Sequence, residues 1–329
     1  MARKKRLIAG LAVAMLCIPG TCIRSDVSLA PTDQISINRV QGESKGAING
    51  WSRVGVWEAN ADTLLFGGFS ALLALGPSQL IAFSDRGARF ELTVPGKASM
   101  TRKVDLQPVE PERFNELWDI ESATRDPATG EYWLGYENTH AIRRFSRSSQ
   151  KGPVRILDDE VDWTINKGAE AMVRLADGRF MIVPEGSDEG LIFSDDPAEG
   201  GNFKAFPFEN PDPNYAVTDM TQLPDGRLLL LMRKVASGFP PFASLLAIGD
   251  PPMAGQRGPW KPEIALDLTK MVPRENYEGI AAIADDDGGL SIWLLSDDNF
   301  AAFQRTLLVK LRFDPEAGQE ASDDQNPKN

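Results

Sequence analysis

Acidic residues recur at a nearly constant spacing along this chain, and carboxylates in such a pattern can contribute to one shared site. Each occurrence opens a short apolar run, which is followed by a turn, a second apolar run and another polar or charged residue. The leading positions, 49 to 59 residues apart, are Ser70, Glu121, Glu170, Asp219 and Glu278. The second positions, 14 to 19 residues further along, are Asp85, Glu137, Glu185, Arg233 and Asp297.

Clustered carboxylates repel each other, and each raises the pKa of its neighbours. A bound cation relieves that repulsion, and a dense set of oxygen ligands suits Ca²⁺, or less well Mg²⁺. We therefore predict a bound divalent cation, for which oxygen ligands favour Ca²⁺. The predicted metal ligands are Asp85, Glu137, Glu185, Asp219 and Asp297. A protonated carboxyl group can also act as an acid or a base, and the catalytic candidates are Glu121, Glu170 and Glu278. Arg86 and Arg233 interrupt the negative field and are the predicted contacts of a phosphate or carboxylate substrate.

The repeating unit also predicts the elements that must position these residues. Asp-Gly turns, "ADGR" at 176–179 and "PDGR" at 224–227, favour hairpins because Gly tolerates positive φ. Continuous apolar runs such as "LLLLM" at 228–232 indicate strands that are buried on both faces. Further strands follow each pair, and four strands in about 50 residues are typical of a β-propeller blade. A β-sandwich with coincidentally spaced hairpins is the alternative, and the regular interval argues against it.

The predicted fold class is therefore all-β, a β-propeller with five visible repeats and five or six blades. The fifth repeat ends after three strands, at "LLVKLRF" (307–313). We predict that "SRVGVWEA" (52–59) supplies the missing strand and closes the ring, so that no sheet edge stays open. The segment "QISINRV" (34–40) could add one more strand.

The two ends of the chain predict export and a flexible tail. Four cationic residues at 3–6 precede a short apolar run, so residues 1–22 are predicted to be a signal peptide. An uncleaved membrane anchor and a lipid anchor at Cys22 are the alternatives. We predict no membrane span after cleavage, and a periplasmic or extracellular location. Residues 23–63 are assigned to an N-terminal segment with the closing strands, 64–313 to the propeller, and 314–329 to a disordered acidic tail.

Charge and composition exclude several classes of function. The net charge of −12 excludes nucleic-acid binding through phosphate neutralisation. The only histidine is His140, and there is no Gly-x-Ser-x-Gly motif, so a Ser-His-Asp enzyme is not favoured, although Ser70 with His140 stays open. Both cysteines lie at or before Cys22, so the predicted mature chain has no internal disulfide. The expected partner is a small-molecule ester or phosphate ligand, and the chain is expected to be a monomer.

Several short motifs in a fixed order resemble a bacterial family described as phytase-like, or "esterase-like activity of phytase". They are "GGFS" (67–70), "SDRG" (84–87), "DIES" (119–122), "YEN" (136–138), "NKGAE" (166–170), "NYEGI" (276–280) and "SDDNF" (296–300). The resemblance covers roughly residues 64–313. It implies an exported β-propeller that is a metal-dependent phosphoesterase or esterase, with Ca²⁺ as a candidate ion.

Three functions remain open from the sequence. The first is a hydrolase that acts on a phosphate or carboxylic ester at the acidic mouth of the propeller channel. The second is a calcium-dependent lactonase-type propeller, which also arranges Glu, Asn and Asp around one ion. The third is a non-catalytic periplasmic propeller that binds a ligand or serves as a scaffold.

Overall fold

The computed structural model describes residues 30–97, 102–106, 117, 119–161, 163, 168–253, 256 and 258–315. The described chain forms five antiparallel sheets arranged as the blades of a β-propeller. It starts with strands β1 (Ile35–Gln41) and β2 (Trp51–Ala61). The first blade consists of β3 (Phe69–Gly76), β4 (Gln79–Ser84), β5 (Ala88–Thr93) and β6 (Arg102–Leu106). The second consists of β7 (Ile120–Arg125), β8 (Tyr132–Tyr136), β9 (Ala141–Phe145) and β10 (Lys151–Ile156).

The remaining three blades follow the same up-and-down order. The third blade consists of β11 (Ala171–Arg174), β12 (Phe180–Val183), β13 (Glu189–Phe193) and β14 (Phe203–Pro207). The fourth consists of β15 (Ala216–Gln222), β16 (Leu228–Val235), β17 (Phe242–Gly249) and β18 (Glu263–Asp267). The fifth contains β19 (Asn276–Ala284), β20 (Leu290–Asp297) and β21 (Leu307–Phe313). Two short 3-10 helices, Pro197–Glu199 and Leu268–Lys270, lie beside outer strands.

The N-terminal strands complete the fifth blade, whose order is β1-β2-β21-β20-β19. Strand β2 pairs antiparallel with β21, with Trp51 opposite Phe313, and the two rings stack with centroids 4.2 Å apart. The predictions that 52–59 closes the ring and that 34–40 adds a further strand are confirmed. The described residues form five blades and contain no sixth. Joining the first and last strands in one sheet covers the edge that β21 would otherwise expose.

The core lies between the blades, because each sheet packs against a neighbour on both faces. All residues of β12 and β20 are buried, as are the first five of β16. This confirms the interpretation of the continuous apolar runs as strands covered on both sides. The hairpin turns also agree with the sequence, since Gly178 and Gly226 have φ of +92° and +95°.

In four of the five blades, a β-bulge at the start of the innermost strand interrupts the alternation of side chains between the two faces of the sheet. The register shifts at this point in four of the five inner strands, β3, β7, β15 and β19. The extra residues are Ser70, Glu121, Thr218 and Glu278. Glu170 directly precedes β11 in the remaining blade. Bulges of this kind redirect a side chain, here at the start of the strand that lines the axis.

The register corrects the predicted leading position of the fourth blade. Thr218, not Asp219, is the bulged residue that corresponds to Glu121 and Glu278. The repeats were aligned by placing their acidic residues opposite each other. In the strand register, however, Asp219 corresponds to the small residues that follow the bulge in the other blades. A shift of one residue in a strand sends the side chain to the other face. Asp219 therefore does not belong to the leading ring.

Asp219 instead ties three inner strands together. One carboxylate oxygen accepts the backbone N–H of Met220 at 2.8 Å, and the other accepts that of Ile280 on β19 at 2.8 Å. The backbone N–H of Leu72 on β3 also donates to this carboxylate. The side chain is 1% exposed, and burial raises its pKa well above the ordinary value, opposed by these three donors. Buried backbone donors need such an acceptor.

Removing this carboxylate should destabilise the whole ring. Asp219→Ala leaves buried N–H groups on three strands without an acceptor, so we expect the free energy of unfolding to fall by about 3–5 kcal/mol. Urea unfolding followed by circular dichroism measures the change. Asp286→Asn, an exposed aspartate in the last hairpin turn, is the control and should stay within about 0.5 kcal/mol. A decrease of less than about 1 kcal/mol in the free energy of unfolding of Asp219→Ala would contradict this role of the carboxylate.

Candidate functional site

The second positions of all five repeats lie at one end of the channel, next to the bulges. The backbone N–H of Asp85 donates to Gly68 O, and that of Glu137 donates to Asp119 O, both at 2.9 Å. Asp297 pairs with Asn276 in the ladder, and Arg233 pairs with Ala216. In these four blades the second position thus faces the residues just before the bulge, and Glu185 of the third blade joins them through its 3.3 Å contact with Arg233 Nη2. The leading and second positions therefore meet at one mouth, which we call the acidic mouth.

Three carboxylates of the second blade lie close enough to hold one metal ion. Asp119, Glu121 and Glu137 each place a carboxylate oxygen within 4.8 Å of the others, and all three side chains are half-buried. Asp119 has a φ of +72°, in the left-handed region where a non-glycine residue is uncommon. Asp119 occurs in the "DIES" motif but was not among the predicted site residues. It lies opposite Glu137, whose backbone N–H donates to Asp119 O at 2.9 Å, and this pairing is a property of the fold.

The carboxyl groups of the second and third blades influence one another in pairs. Glu121 interacts with Asp119, and Glu170 interacts with Glu137. Burial raises the pKa of Glu121 well above the ordinary value, and Glu170 and Glu278 add repulsion. Burial likewise raises the pKa of Glu170, and Glu185 and Glu137 raise it further. Two buried acids with raised pKa values therefore lie next to two further carboxyl groups, an arrangement that favours proton exchange between side chains.

An arginine neutralises the opposite side of the mouth. Arg233 Nη1 donates to Glu278 Oε1 at 2.6 Å and to Asn276 Oδ1 at 2.5 Å, while Nη2 donates to Glu185 Oε1 at 3.3 Å. Asn276 Nδ2 also donates to Glu278 Oε1, at 2.7 Å. Burial alone would lower the pKa of Arg233, but Glu278 and Glu185 raise it. The leading acid of the fifth blade is therefore paired, whereas those of the second and third blades have no cationic partner among the residues that the structure describes.

The first and fifth blades contribute a third group of acids. Burial raises the pKa of Asp85 to about 6, and Asp119 and Asp298 add repulsion to it. Burial also raises the pKa of Asp297 to about 8, followed by repulsion from Glu278. Asp298 Oδ1 accepts the backbone N–H groups of Gly68 and Phe300 at 3.0 Å. Asp298 and Asn276 were quoted only in family motifs and were not among the predicted site residues.

Gly68 leaves room for the Asp85 side chain. It has a φ of +64°, and a Cβ built there would lie 2.5 Å from Asp85 Oδ1. That oxygen is buried and has no hydrogen-bond partner in the part of the chain that the structure describes. Beside it, the Arg86 guanidinium lies 3.5 Å from the centroid of the Phe300 ring, a cation–π contact. Arg86 is thus positioned at the mouth, and its role as a substrate contact stays a prediction.

Ser70 and His140 have different surroundings, which does not favour a nucleophile–base pair. Ser70 Oγ donates to Gly68 O at 3.5 Å. His140 is buried, packs edge-to-face on Trp163 and has its Nε2 atom 3.9 Å from Asp158 Oδ1.

The donor chemistry of the mouth fits a hard divalent cation. The trio Asp119, Glu121 and Glu137 offers carboxylate oxygens, and Asn138 next to it has a buried Oδ1 without a hydrogen-bond partner among the described residues. Ca²⁺ takes six to eight oxygen ligands in a flexible arrangement, and neutral amide oxygens serve as well as carboxylates. Asp219 lies apart from this set, because its oxygens are already occupied by backbone donors.

The fold and the mouth define the class of the protein as a five-bladed β-propeller with an acidic site at one end of its channel. The sequence places it more closely, since the family model "Phytase-like: Esterase-like activity of phytase" matches residues 64–300. The chain belongs to this family. The resemblance stated from the short motifs is therefore confirmed. No curated protein matches the sequence significantly.

Solved structures match this chain at low sequence identity. An exo-1,5-α-L-arabinanase from a bovine ruminal metagenomic library has 13% identity and a TM-score of 0.45, and the match covers 74% of this chain and 93% of that one. The nidogen/laminin complex gives 10% identity and a TM-score of 0.44, covering 84% and 98%. The PQQ-bound aldose sugar dehydrogenase from Streptomyces coelicolor has 11% identity and a TM-score of 0.41, and the match covers 86% of this chain and 100% of that one. At these values the similarity does not bear on function.

The chain ends lie outside the described residues. The predicted signal peptide, residues 1–22, and nearly all of the predicted tail, residues 314–329, are not among the described residues, so both stay predictions. Asn166 and Lys167 of the "NKGAE" motif also lie outside it. Within the described part, no helix has the length and apolarity that a membrane-spanning helix requires.

The elevated pKa values predict an inverted pH dependence of stability in the metal-free protein. Asp297 rises from an ordinary 3.8 to about 8 on folding, so the folded state holds more protons than the unfolded state between these values. Stability should therefore fall as pH rises through this window. We expect the Tm in EDTA to be higher at about pH 5 than at about pH 8, and Asp297→Asn to flatten the slope.

Differential scanning calorimetry across this pH range measures the effect. Asp286→Asn, exposed and remote from the mouth, should retain the slope of the unmodified protein. A Tm that rises steadily with pH up to 8 would contradict the burial of unpaired carboxyl groups.

Proposed function

We propose that the protein is an exported, metal-dependent hydrolase that acts on a phosphate or carboxylic ester at the acidic mouth. The observation that carries the proposal is the trio Asp119, Glu121 and Glu137, with carboxylate oxygens within 4.8 Å of one another. Membership of the phytase-like family supports the same reaction class. Export rests on the predicted signal peptide of residues 1–22.

Asp119, Glu121 and Glu137 would hold the divalent cation, with Asn138 and Asp85 as neighbouring oxygen donors. Ca²⁺ is the candidate because these are hard oxygen ligands without histidine or cysteine. When bound, such an ion polarises an ester oxygen and stabilises the negative charge that develops during hydrolysis. Ion binding also favours ionised ligands, so Glu121 would release its proton.

Glu170 is the best-placed proton donor. Its side chain is 7% exposed, and burial, with repulsion from Glu185 and Glu137, raises its pKa well above the ordinary value at the edge of the trio. Hydrolysis adds water across the ester bond, and the departing alkoxide needs a proton, which Glu170 can supply as a general acid. This role keeps Glu170 among the catalytic candidates, and Glu121 moves to the predicted ligand set.

The arginines of the mouth suit an anionic substrate group. Arg233 lies between Glu278 and Glu185 and has two hydrogen bonds to Glu278 and Asn276 through one nitrogen. Glu278 therefore acts as a positioning residue for Arg233 in this proposal. Arg86, held over Phe300, offers a second cation on the side of the first blade. A phosphate or carboxylate could bind between the ion and either guanidinium.

A substrate panel tests the proposal. We expect p-nitrophenyl phosphate or p-nitrophenyl acetate to be hydrolysed in the presence of Ca²⁺, with the activity lost in EDTA and restored by added Ca²⁺. With glycerol phosphate or ethyl acetate, whose alkoxide leaving groups need a proton, Glu170→Gln should lower kcat by about 10²–10⁴-fold. With the p-nitrophenyl esters, whose phenolate leaves without a proton, the loss should be much smaller. Glu189→Gln, exposed on β13, is the matched control and should retain full activity.

The remaining outcomes distinguish the alternatives. Turnover of a lactone, but of neither ester, would favour a lactonase-type propeller. No turnover of any substrate, together with a Ca²⁺-dependent rise in Tm, would favour a binding or scaffold role. Full activity in Glu170→Gln would remove that residue from the mechanism.

A further inference from the structure

A second cavity lies at the end of the channel opposite the acidic mouth. Its volume is about 540 Å³, within the range of small-molecule sites. The last residues of the inner strands line it, together with the turns that lead to the second strands. Along β7, the four residues from Glu121 to Arg125 separate the two ends by about 13 Å. We call this space the basal cavity.

The charge of the basal cavity is opposite to that of the acidic mouth. Its lining residues include Arg125 and Arg174, and Asp126 is the single acidic residue among the described lining residues. Arg174 Nη2 lies 3.2 Å from Asp126 Oδ2, so this pair is neutral as a unit. Arg125 then leaves one net positive charge. In a chain with a net charge of −12, a cavity with excess positive charge is a local exception.

Arg125 has a donor that the fold does not use. Its Nη1 atom donates to Ala74 O at 2.5 Å, which fixes the side chain against the first blade. Its Nε atom is buried and has no hydrogen-bond acceptor in the described part of the chain. Burial lowers the pKa of Arg125, and Arg147 nearby lowers it further. An anionic oxygen would relieve both the unpaired donor and the repulsion between the two arginines.

The other walls are apolar. Leu72, Met220 and Ile280 line the cavity from three different inner strands. Asp219, the nearest acid on β15, directs its oxygens to the backbone N–H groups of Leu72, Met220 and Ile280. Its carboxylate is therefore already engaged at the inner end of the cavity, and it is not one of the lining residues. The polar groups of the lining are concentrated on the side of the second and third blades.

We propose that the basal cavity binds a small organic anion, whose carboxylate or phosphate head group contacts Arg125 and whose apolar body packs on Leu72, Met220 and Ile280. This site is separate from the acidic mouth and needs no metal ion. A ligand in the cavity would also contact inner strands of several blades at once.

Isothermal titration calorimetry in EDTA tests the proposal, because the chelator removes any cation that could bind an anion at the acidic mouth. The probes are octanoate, octyl phosphate and octanol, which share an apolar chain and differ in the head group. We expect at least one of the two anions to bind and octanol to bind at least tenfold more weakly. The preferred anion identifies the head group as carboxylate or phosphate.

Variants locate the site. Arg125→Gln should weaken anion binding by about ten- to a hundredfold, the effect of a lost charge-assisted hydrogen bond. Thr221→Phe, at a half-buried lining position, should block binding by filling the cavity without changing its charge. Arg39→Gln, on the outermost strand β1, is the matched control and should bind as the unmodified protein does.

The proposal is overturned if neither anion binds, if octanol binds as tightly as the anions, or if binding is unchanged in both Arg125→Gln and Thr221→Phe. Should Arg125→Gln fail to fold, Thr221→Phe decides the outcome alone. Ester hydrolysis at the acidic mouth is measured separately with Ca²⁺ present, so either proposal can fail without the other.

Discussion

The inner strands of neighbouring blades approach each other without sharing a hydrogen-bond ladder, and the ring depends on how this gap is bridged. Each sheet is a separate ladder, so contacts around the axis come from side chains, close packing and backbone bonds outside the ladders, such as Asp119 N–H to Asp85 O at 3.0 Å. Asp219 connects β15 to β19 and β3, and Ser122 on β7 donates to Ala169 O in the third blade. Gly279 allows a close approach, since a Cβ there would lie 2.7 Å from Leu72 Cβ.

The same narrow axis explains why the carboxyl groups of the acidic mouth have raised pKa values. Leading residues of adjacent blades converge where solvent is excluded, and burial is the largest cause of the raised pKa of Glu121, Glu170 and Glu278. The five blades are not equivalent in charge, however. Arg233 pairs with the fifth-blade acid, whereas Glu121 and Glu170 have no ion pair with an arginine or lysine of the described residues. Within that part of the chain, negative charge is therefore less compensated on the side of the second and third blades.

Much of the fold was predictable, because strand periodicity, Asp-Gly turns and repeat spacing are local properties. Even the non-local closure by residues 52–59 followed from counting strands in the last repeat. The site residues that were predicted wrongly or missed depend on local backbone geometry, which the sequence pattern does not indicate. In the fourth blade the acid lies one residue after the bulge, so Thr218 takes the place expected for Asp219. Asp119 enters the site through a left-handed backbone conformation that no propensity indicates.

The shared fifth blade also determines where the chain enters and leaves the propeller. Strand β1 forms the outer edge of that blade, and the N–H of Asp314, just after β21, donates to Gly50 O just before β2. The described chain therefore begins at the outer edge of this blade and ends beside its middle strand. Attaching the protein to a bead or sensor chip through either end would anchor it by the fifth blade.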